Sequence, residues 1–419
     1  MNTCFSAADI LLPDFKKTKG EAWAVVACDQ FTSEPEYWER AQALVGDAPS
    51  TLRLILPEVY LEKTKERVPV INATMRAYLS GLLVEHKNSM IYLERVQSDG
   101  KVRRGLIGKI DLEAYDYKKG AVSPVRATEG TVTERIPPRV AIRRDAALEL
   151  PHVMVLIDDE EKSVIEPIAA RKGELREAYD FDLMLGGGHV SAWFLDESEQ
   201  ARALKALEAL AASEAMKTRY GVEAAPLTFA VGDGNHSLAS AKAAYEEVKA
   251  ALGAQKAADH PARYALVELV NLHDEALEFE PIYRVLFGVD PEDVMREFEK
   301  YAATLKGSAD AQSVLCVGTF EDRAIEVKRP VSQLTVGTVG DFIDGYLKTH
   351  KGASVDYIHG VESTRKLAAG ENAIGFLFDG MAKNQLFKAV ICDGALPRKT
   401  FSMGHAEDKR YYLECRKIK

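Results

Sequence analysis

Pro226-Leu-Thr-Phe-Ala-Val-Gly-Asp-Gly-Asn-His-Ser237 is the stretch on which the reading of this chain turns. Residues 226–232 form a short apolar run suited to a buried strand, and the run stops at Asp233-Gly234-Asn235-His236. From 237 to 252 the pattern changes. Leu238, Ala241, Tyr245, Val248 and Leu252 recur at three- and four-residue steps, which predicts a helix with one buried stripe. The turn therefore lies where a strand hands over to a helix. Glycines let the backbone bend there, and the N–H groups of the helix's first turn favour an anion. Asp233 beside such a site can hold a divalent cation against phosphate oxygens, and His236 can donate to a phosphate or act as acid or base. The same residues also make an ordinary turn, with Asn235 an ordinary helix N-cap. The carboxyl end of a strand is where α/β sheets bind ligands, which favours the functional reading.

Working outward, comparable apolar runs at 23–28, 153–157, 190–195 and 264–269 are expected strands. Residues 90–96 and 102–110 flank Asp99-Gly100, a hairpin signal. A helix is expected after Phe31, with Ser33 as N-cap and Glu36 at N3, and another over 196–220 ended by Gly221. A third opens at Asp290-Pro291 and closes at Gly307. Beyond 310 come expected strands at 313–320, 324–328, 374–378 and 388–392, and a helix at 339–348. The fold class is α/β: a central mixed sheet with flanking helices and additional N- and C-terminal α+β regions. Three regions follow, 1–122, 123–287 and 288–419.

At 419 residues more than one domain is expected. The net charge of −10 argues against a general nucleic-acid binder, which needs a basic face. Five scattered cysteines, Cys4, Cys28, Cys316, Cys392 and Cys415, fit free thiols in a reducing cytoplasm rather than a disulfide framework or zinc site. No signal peptide and no membrane span is expected.

A second cluster is Arg126-Ala127-Thr128-Glu129-Gly130-Thr131, continuing to Arg135, Arg139, Arg143 and Arg144. Its arginines can clamp phosphate, with Glu129 a base among cations, or they are surface ion pairs. In a third, Gly186-Gly187-Gly188-His189 is either a phosphate-cradling nest or a β-turn, and without a following Gly-Lys-Ser/Thr it is no P-loop. Asp29 and the run Arg398-Lys399-Thr400 are weaker candidates. His152 reads as a hydrogen-bonded core histidine, and no His-x-x-x-His spacing marks a transition-metal site.

On these motifs the chain resembles domain-of-unknown-function family ten-fifteen. The family's Ala-Asp-Gly-His-His-Arg is matched by Gly232-Asp233-Gly234-Asn235-His236-Ser237, its His-Glu-x-Thr by Thr128-Glu129-Gly130-Thr131, and its Leu-Pro-x-Lys-Ser/Thr by Leu396-Pro397-Arg398-Lys399-Thr400. The Asp-Gly-x-His signature also resembles that of the ParB/sulfiredoxin-like fold, which includes free-serine kinases. The resemblance implies Glu129 as base, and Asp233 and His236 at nucleotide phosphates with Mg²⁺ on Asp233. Arg126, Thr128, Gly187, Gly188, His189, Gly232, Gly234, Asn235, Ser237, Lys242 and Lys399 are the candidate phosphate contacts. Ser237 stands where the family has arginine, so the cationic contact falls to Lys242 or Arg126. The expected function is a small-molecule phosphotransferase, with a phosphate donor and a hydroxyl acceptor such as serine as partners. A ParB-like nucleotide-binding regulator and a hydrolase of a phosphorylated metabolite are the alternatives.

Overall fold

In the computed structural model, which describes residues 3–131, 134, 136–221 and 226–419, the short apolar runs assemble into one ten-stranded mixed sheet. Its strands are β1 (Phe5–Ser6), β2 (Ile91–Val96), β3 (Val102–Asp111), β4 (Tyr115–Asp116), β5 (Val125–Ala127), β6 (Met154–Ile157), β7 (Arg176–Asp182), β8 (His189–Phe194), β9 (Phe229–Asp233) and β10 (Tyr264–Asn271). They lie in the order β7-β8-β2-β3-β10-β6-β9-β5-β4, and β1 also pairs with β3. β6 runs parallel to β10, and β5 parallel to both β9 and β4. The β2–β3 hairpin turns at Gly100, where φ is +83°.

Both faces of the inner strands of this sheet are buried. In β2, Tyr92 packs into one core while Ile91 and Leu93 pack into another; Leu106 and Ile107 of β3 divide in the same way. Strand side chains alternate, so covering both faces requires unbroken apolar runs. One face carries α3 (Glu197–Leu210) through Ala203 and Leu207, and α5 (Asn235–Leu252) through Leu238, Ala241 and Tyr245. The other carries α1 (Pro35–Val45) through Tyr37, Trp38 and Val45, together with Tyr411, Tyr412 and Leu413 from the end of the chain. Further helices include α2 (Ile136–Arg144), α4 (Ser213–Tyr220) and the 18-residue helix Thr64–Gly81.

Several expectations change. The 23–28 run gives a two-residue strand, Val25–Val26, paired with Tyr411–Tyr412, while Trp23 ends a helical turn. α1 has Glu34 rather than Ser33 at its N-cap, because Pro35, with φ already fixed, takes N1. The 196–220 helix breaks between Leu210 and Ser213, but Asp196 caps it and Gly221 ends it at φ +67°. On α5 the stripe fades before its end, and Leu252 is 46% exposed. The helix has 18 residues and β9 has 5, so roughly 27 Å of helix outruns roughly 17 Å of strand.

The division of the chain also differs from three successive regions. Met1–Ala127, Thr131–Leu277 and Gly404–Lys419 form one compact unit, because β2 and β3 pair with β8 and β10 inside a single sheet. Thr128–Gly130 and Glu278–Met403 form the other. The second unit holds β11 (Phe279–Phe287), β12 (Gln312–Val317), β13 (Arg323–Val327), β14 (Ser354–His359), β15 (Ala373–Leu377) and β16 (Phe401–Met403). Their order is β13-β12-β15-β11-β14, with β16 also on β11. Helices α6 (Pro291–Thr304) and α7 (Thr335–Thr349) meet β15 through the rings of Phe298, Phe342 and Phe376. Gly307 does not close α6, which ends at Thr304. A side chain at Gly307 would meet the Pro330 carbonyl at 1.9 Å, so close backbone approach requires glycine there. α8 (Val361–Ala368) precedes β15, and the expected strand at 388–392 is instead helix α9 (Gln385–Asp393). Its buried Leu386, Phe387, Ala389 and Val390 follow helical spacing, which a short apolar run leaves ambiguous. Among the described residues no helix is long and apolar enough to cross a membrane.

Candidate functional site

β9 ends at Asp233, and α5 begins at Asn235 after Gly234. Gly234 has φ +80°, and a Cβ there would lie 3.1 Å from Val153 Cα and 3.4 Å from His152 Cδ2. Conformation and close approach both call for glycine. The N-cap of α5 is Gly234, which has no side chain to cap the helix. Asn235 is buried inside the first turn, its amide 3.4 Å from the Val231 carbonyl, so it is not the expected N-cap. His236 and Ser237 are half-buried on that first turn. Gly232 packs under Leu156, which an added Cβ would meet at 2.7 Å. The Asp233 carboxylate accepts the Gly234 N–H at 2.9 Å through Oδ1, and its Oδ2 lies 3.3 Å from Lys409 Nζ.

Lys409 comes from the returning C-terminal segment, and it brings further groups with it. Tyr412 Oη lies 2.7 Å from His152 Nδ1 and accepts the Cys28 N–H at 3.3 Å. His152 Nε2 stands 3.9 Å from Asp29 Oδ2. Burial works to raise the Asp29 carboxyl, but the charge of His152, the Gln30 amide and the charge of Lys409 outweigh it and hold the group below the usual aspartate range. The result is a group of half-buried Asp29, Lys409 and Asp233 with buried His152 around the turn.

Beside it lies a charge network that is almost fully buried. Glu268 of β10 accepts Arg103 at 3.3 Å and Arg410 at 2.6 Å, and Arg410 also pairs with Glu414, which accepts the Tyr179 hydroxyl. Arg103 donates to the Asp408 carbonyl at 2.8 Å; Arg95 donates to the carbonyls of Glu407 and Lys409 at 2.8 and 3.3 Å. Burial, with Arg103 adding to it, pushes Arg95 down to about 10. Burial opposes charge on Glu268 too, yet Arg103, Arg410 and Arg95 together keep its carboxyl below the usual range.

The other candidates are placed elsewhere. Arg126 is buried, donating to the carbonyls of Ser123 and Pro226 at 2.8 and 3.2 Å. Arg139, Arg143 and Arg144 pair with Glu58, Glu149 and Glu247; Arg135 lies outside the described residues. These arginines take the ion-pair reading of their cluster. Lys242 sits two turns along α5, paired with Glu246 at 2.8 Å and near Glu113 at 3.9 Å, away from the turn that begins the helix. The glycine run makes a tight β7–β8 turn: Leu183 N–H donates to the Gly188 carbonyl at 2.7 Å, and a Cβ on Gly188 would meet the Val96 carbonyl at 2.0 Å. Gly187 packs against the Tyr411 hydroxyl, and His189 pairs with Asp180 and Asp182. That packing is the β-turn reading. All five cysteines are free of disulfides.

In the second unit two of the motifs meet. The Thr128 carbonyl accepts the Leu396 N–H at 2.7 Å, and Glu129 pairs with Leu396 in a parallel bridge. Arg284 donates to the carbonyls of Arg398 and Lys399 at 2.9 and 3.0 Å, holding Lys399 at φ +57°. Of the residues gathered at the turn, Lys409 carried no signal in its own neighbourhood. Asp29 was marked by its place after an apolar run, and His152 does have the hydrogen bond expected of a core histidine.

No curated protein sequence matches the chain. Solved structures that are similar include a conserved hypothetical protein from Pyrococcus furiosus, at 10% identity over 71% of this chain and 90% of that one, with a TM-score of 0.32. A free serine kinase in complex with AMP is 11% identical over 74% and 90%, with a TM-score of 0.34. SbnI with C-terminal truncation from Staphylococcus aureus is 10% identical over 71% and 82%, with a TM-score of 0.33. The family described as Protein of unknown function (DUF1015) matches residues 13–417, and this chain belongs to it.

Proposed function

We propose that this chain is a small-molecule phosphotransferase, moving a phosphoryl group from a nucleotide or pyrophosphate donor to a hydroxyl compound such as serine. The observation that supports it is the turn itself: a strand ending in Asp233, a glycine in the left-handed region as the N-cap of an 18-residue helix, and Lys409 at 3.3 Å. Helix N-termini favour phosphate, and phosphoryl transfer is catalysed mainly by positioning and charge neutralisation. Mg²⁺ is commonly held by one or two carboxylates plus substrate phosphates, so Asp233 alone fits as its protein ligand. The remaining ligands would come from the donor phosphates and water. When bound, the metal would screen the donor's charge. His236, on the first turn, is a donor to the phosphate or a proton carrier. Glu129 is proposed as the base that takes the substrate hydroxyl's proton.

The test is phosphorus NMR of the protein with Mg²⁺ and ATP, ADP, CTP or pyrophosphate, with and without serine. A phosphomonoester signal that requires serine is the expected result. Donor breakdown indifferent to serine would make the protein a hydrolase. Donor binding without turnover would make it a nucleotide-binding regulator, and either outcome refutes the proposal.

A further inference from the structure

The family motif places an arginine directly after the histidine of the turn, and this chain has Ser237 there. A phosphate site lacking that cation needs another, and the structure narrows the choice. Lys242 is drawn to Glu246 and Glu113, and Arg126 reaches the carbonyls of Ser123 and Pro226. Lys409 stands at the turn, 3.3 Å from Asp233 and close enough to Asp29 to lower its proton affinity.

How Lys409 is held makes the point stronger. It sits inside 407–412, whose backbone carbonyls at Glu407, Asp408 and Lys409 each accept a hydrogen bond from Arg95 or Arg103. Its neighbour Arg410 is locked between Glu268 and Glu414, and Tyr411–Tyr412 pair with Val25–Val26. Arg95, Arg103 and Arg410 are each about 2% exposed. Arg95 leaves its Nε without a partner, spending its other donors on the backbone that carries Lys409. Burying three guanidinium groups is costly, and hydrophobic replacements would often be as stable, so fixing one backbone geometry is the role such a network best explains. A cation on a rigid segment keeps its place without ordering cost at each binding event.

We propose that Lys409 is the phosphate-binding cation of this site, filling from the C-terminal segment the role that the family arginine fills from the helix. Asp233 pairs with it before a donor binds; a donor phosphate takes over as its partner and frees the Asp233 carboxylate. This rests on the reading of the turn as the donor-phosphate site. It differs from the simpler view of Lys409–Asp233 as a structural ion pair in what it expects of the two variants.

The experiment is calorimetric titration of pyrophosphate into the full-length protein in magnesium-free buffer. Lys409→Met is expected to weaken binding about 10- to 100-fold, the loss of one charge-assisted hydrogen bond. Lys409→Arg should restore most of it, and Lys242→Met should bind as wild type does. Asp233→Asn, by removing the competing carboxylate, should bind pyrophosphate more tightly without metal. A structural pair predicts instead that Asp233→Asn and Lys409→Met lose affinity alike, or not at all. Lys409→Met binding like wild type would overturn the assignment while leaving the phosphotransferase reading intact. A wild-type protein without affinity for pyrophosphate would also overturn the assignment, and the phosphotransferase reading would then stand or fall on the serine-dependent turnover with magnesium.

Discussion

Glu268→Gln is the most searching test of the buried network beside the turn. The substitution keeps the shape of the side chain and removes one charge. In the folded protein Glu268 is fully buried and faces Arg103 at 3.3 Å and Arg410 at 2.6 Å, and the charge of Arg95 also reaches it. Without its carboxylate Arg103 and Arg410 each lose a buried ion-pair partner, while Arg410 keeps Glu414. Breaking a buried ion pair from one side costs about 3–5 kcal/mol, since the orphaned charge stays out of water. At roughly 2–4 °C per kcal/mol for a unit of this size, the melting temperature should fall by about 6–20 °C. Urea denaturation followed by circular dichroism measures the loss. The double variant Glu268→Gln, Arg103→Met removes one orphaned charge and should regain part of it, a coupling readable as a double-mutant cycle. Pyrophosphate affinity should fall in Glu268→Gln well below its melting temperature, because the segment holding Lys409 loosens. A loss under about 1 kcal/mol, or strict additivity in the cycle, would refute the reasoning.

Three other outcomes are expected. Glu129→Gln should lower turnover with serine roughly 10²- to 10⁴-fold and leave donor binding intact, whereas Asp233→Asn should weaken binding that depends on Mg²⁺; calorimetry beside phosphorus NMR separates them, and wild-type turnover in Glu129→Gln removes its role as base. Gly186 and Gly188 share φ near +80°, but a Cβ meets nothing at Gly186 and the Val96 carbonyl at Gly188; Gly186→Ala should cost about 1–2 kcal/mol and Gly188→Ala at least about 2 kcal/mol more, by thermal denaturation, with equal losses counting against the tight-turn account. Burial, with Asp159 and Asp274 nearby, raises the Glu166 carboxyl above its ordinary value. A raised folded-state value gives stability that is complete below the unfolded value and lost as pH rises through the folded one. Glu166→Gln, which can still accept the Asn271 hydrogen bond, should therefore be more stable than wild type at pH 7, with the gap closing toward pH of about 4. A gap that does not change with pH would contradict it.

Local chemistry was enough to read the elements around the site from sequence. Apolar runs buried on both faces give β6, β9 and β10, the Asp99-Gly100 turn gives the β2–β3 hairpin, and the stripe from Leu238 gives α5. Gly234 at the junction is legible because only a residue without a Cβ fits both its φ and the approach of Val153. Short apolar stretches were less legible. Residues 388–392 carry too few residues to separate a strand from the helix they form, and 23–28 is limited by the two-residue strand it meets.

Tertiary structure alone decided which charges face which. Arg139, Arg143 and Arg144 cluster in sequence, yet each meets a different carboxylate because α2 presents them to different neighbours. Lys242 shares a helix with the turn but lies two turns away, while Lys409, distant in sequence, arrives beside Asp233. Residues 404–419 fold back into the first unit, pairing with Val25–Val26 and Leu148–Glu149. Backbone dihedrals and side-chain period are set by a few neighbouring residues, so they can be read along the chain. Ion-pair partners depend on strand order and on where a returning segment lands, and a local pattern of residues holds no record of either.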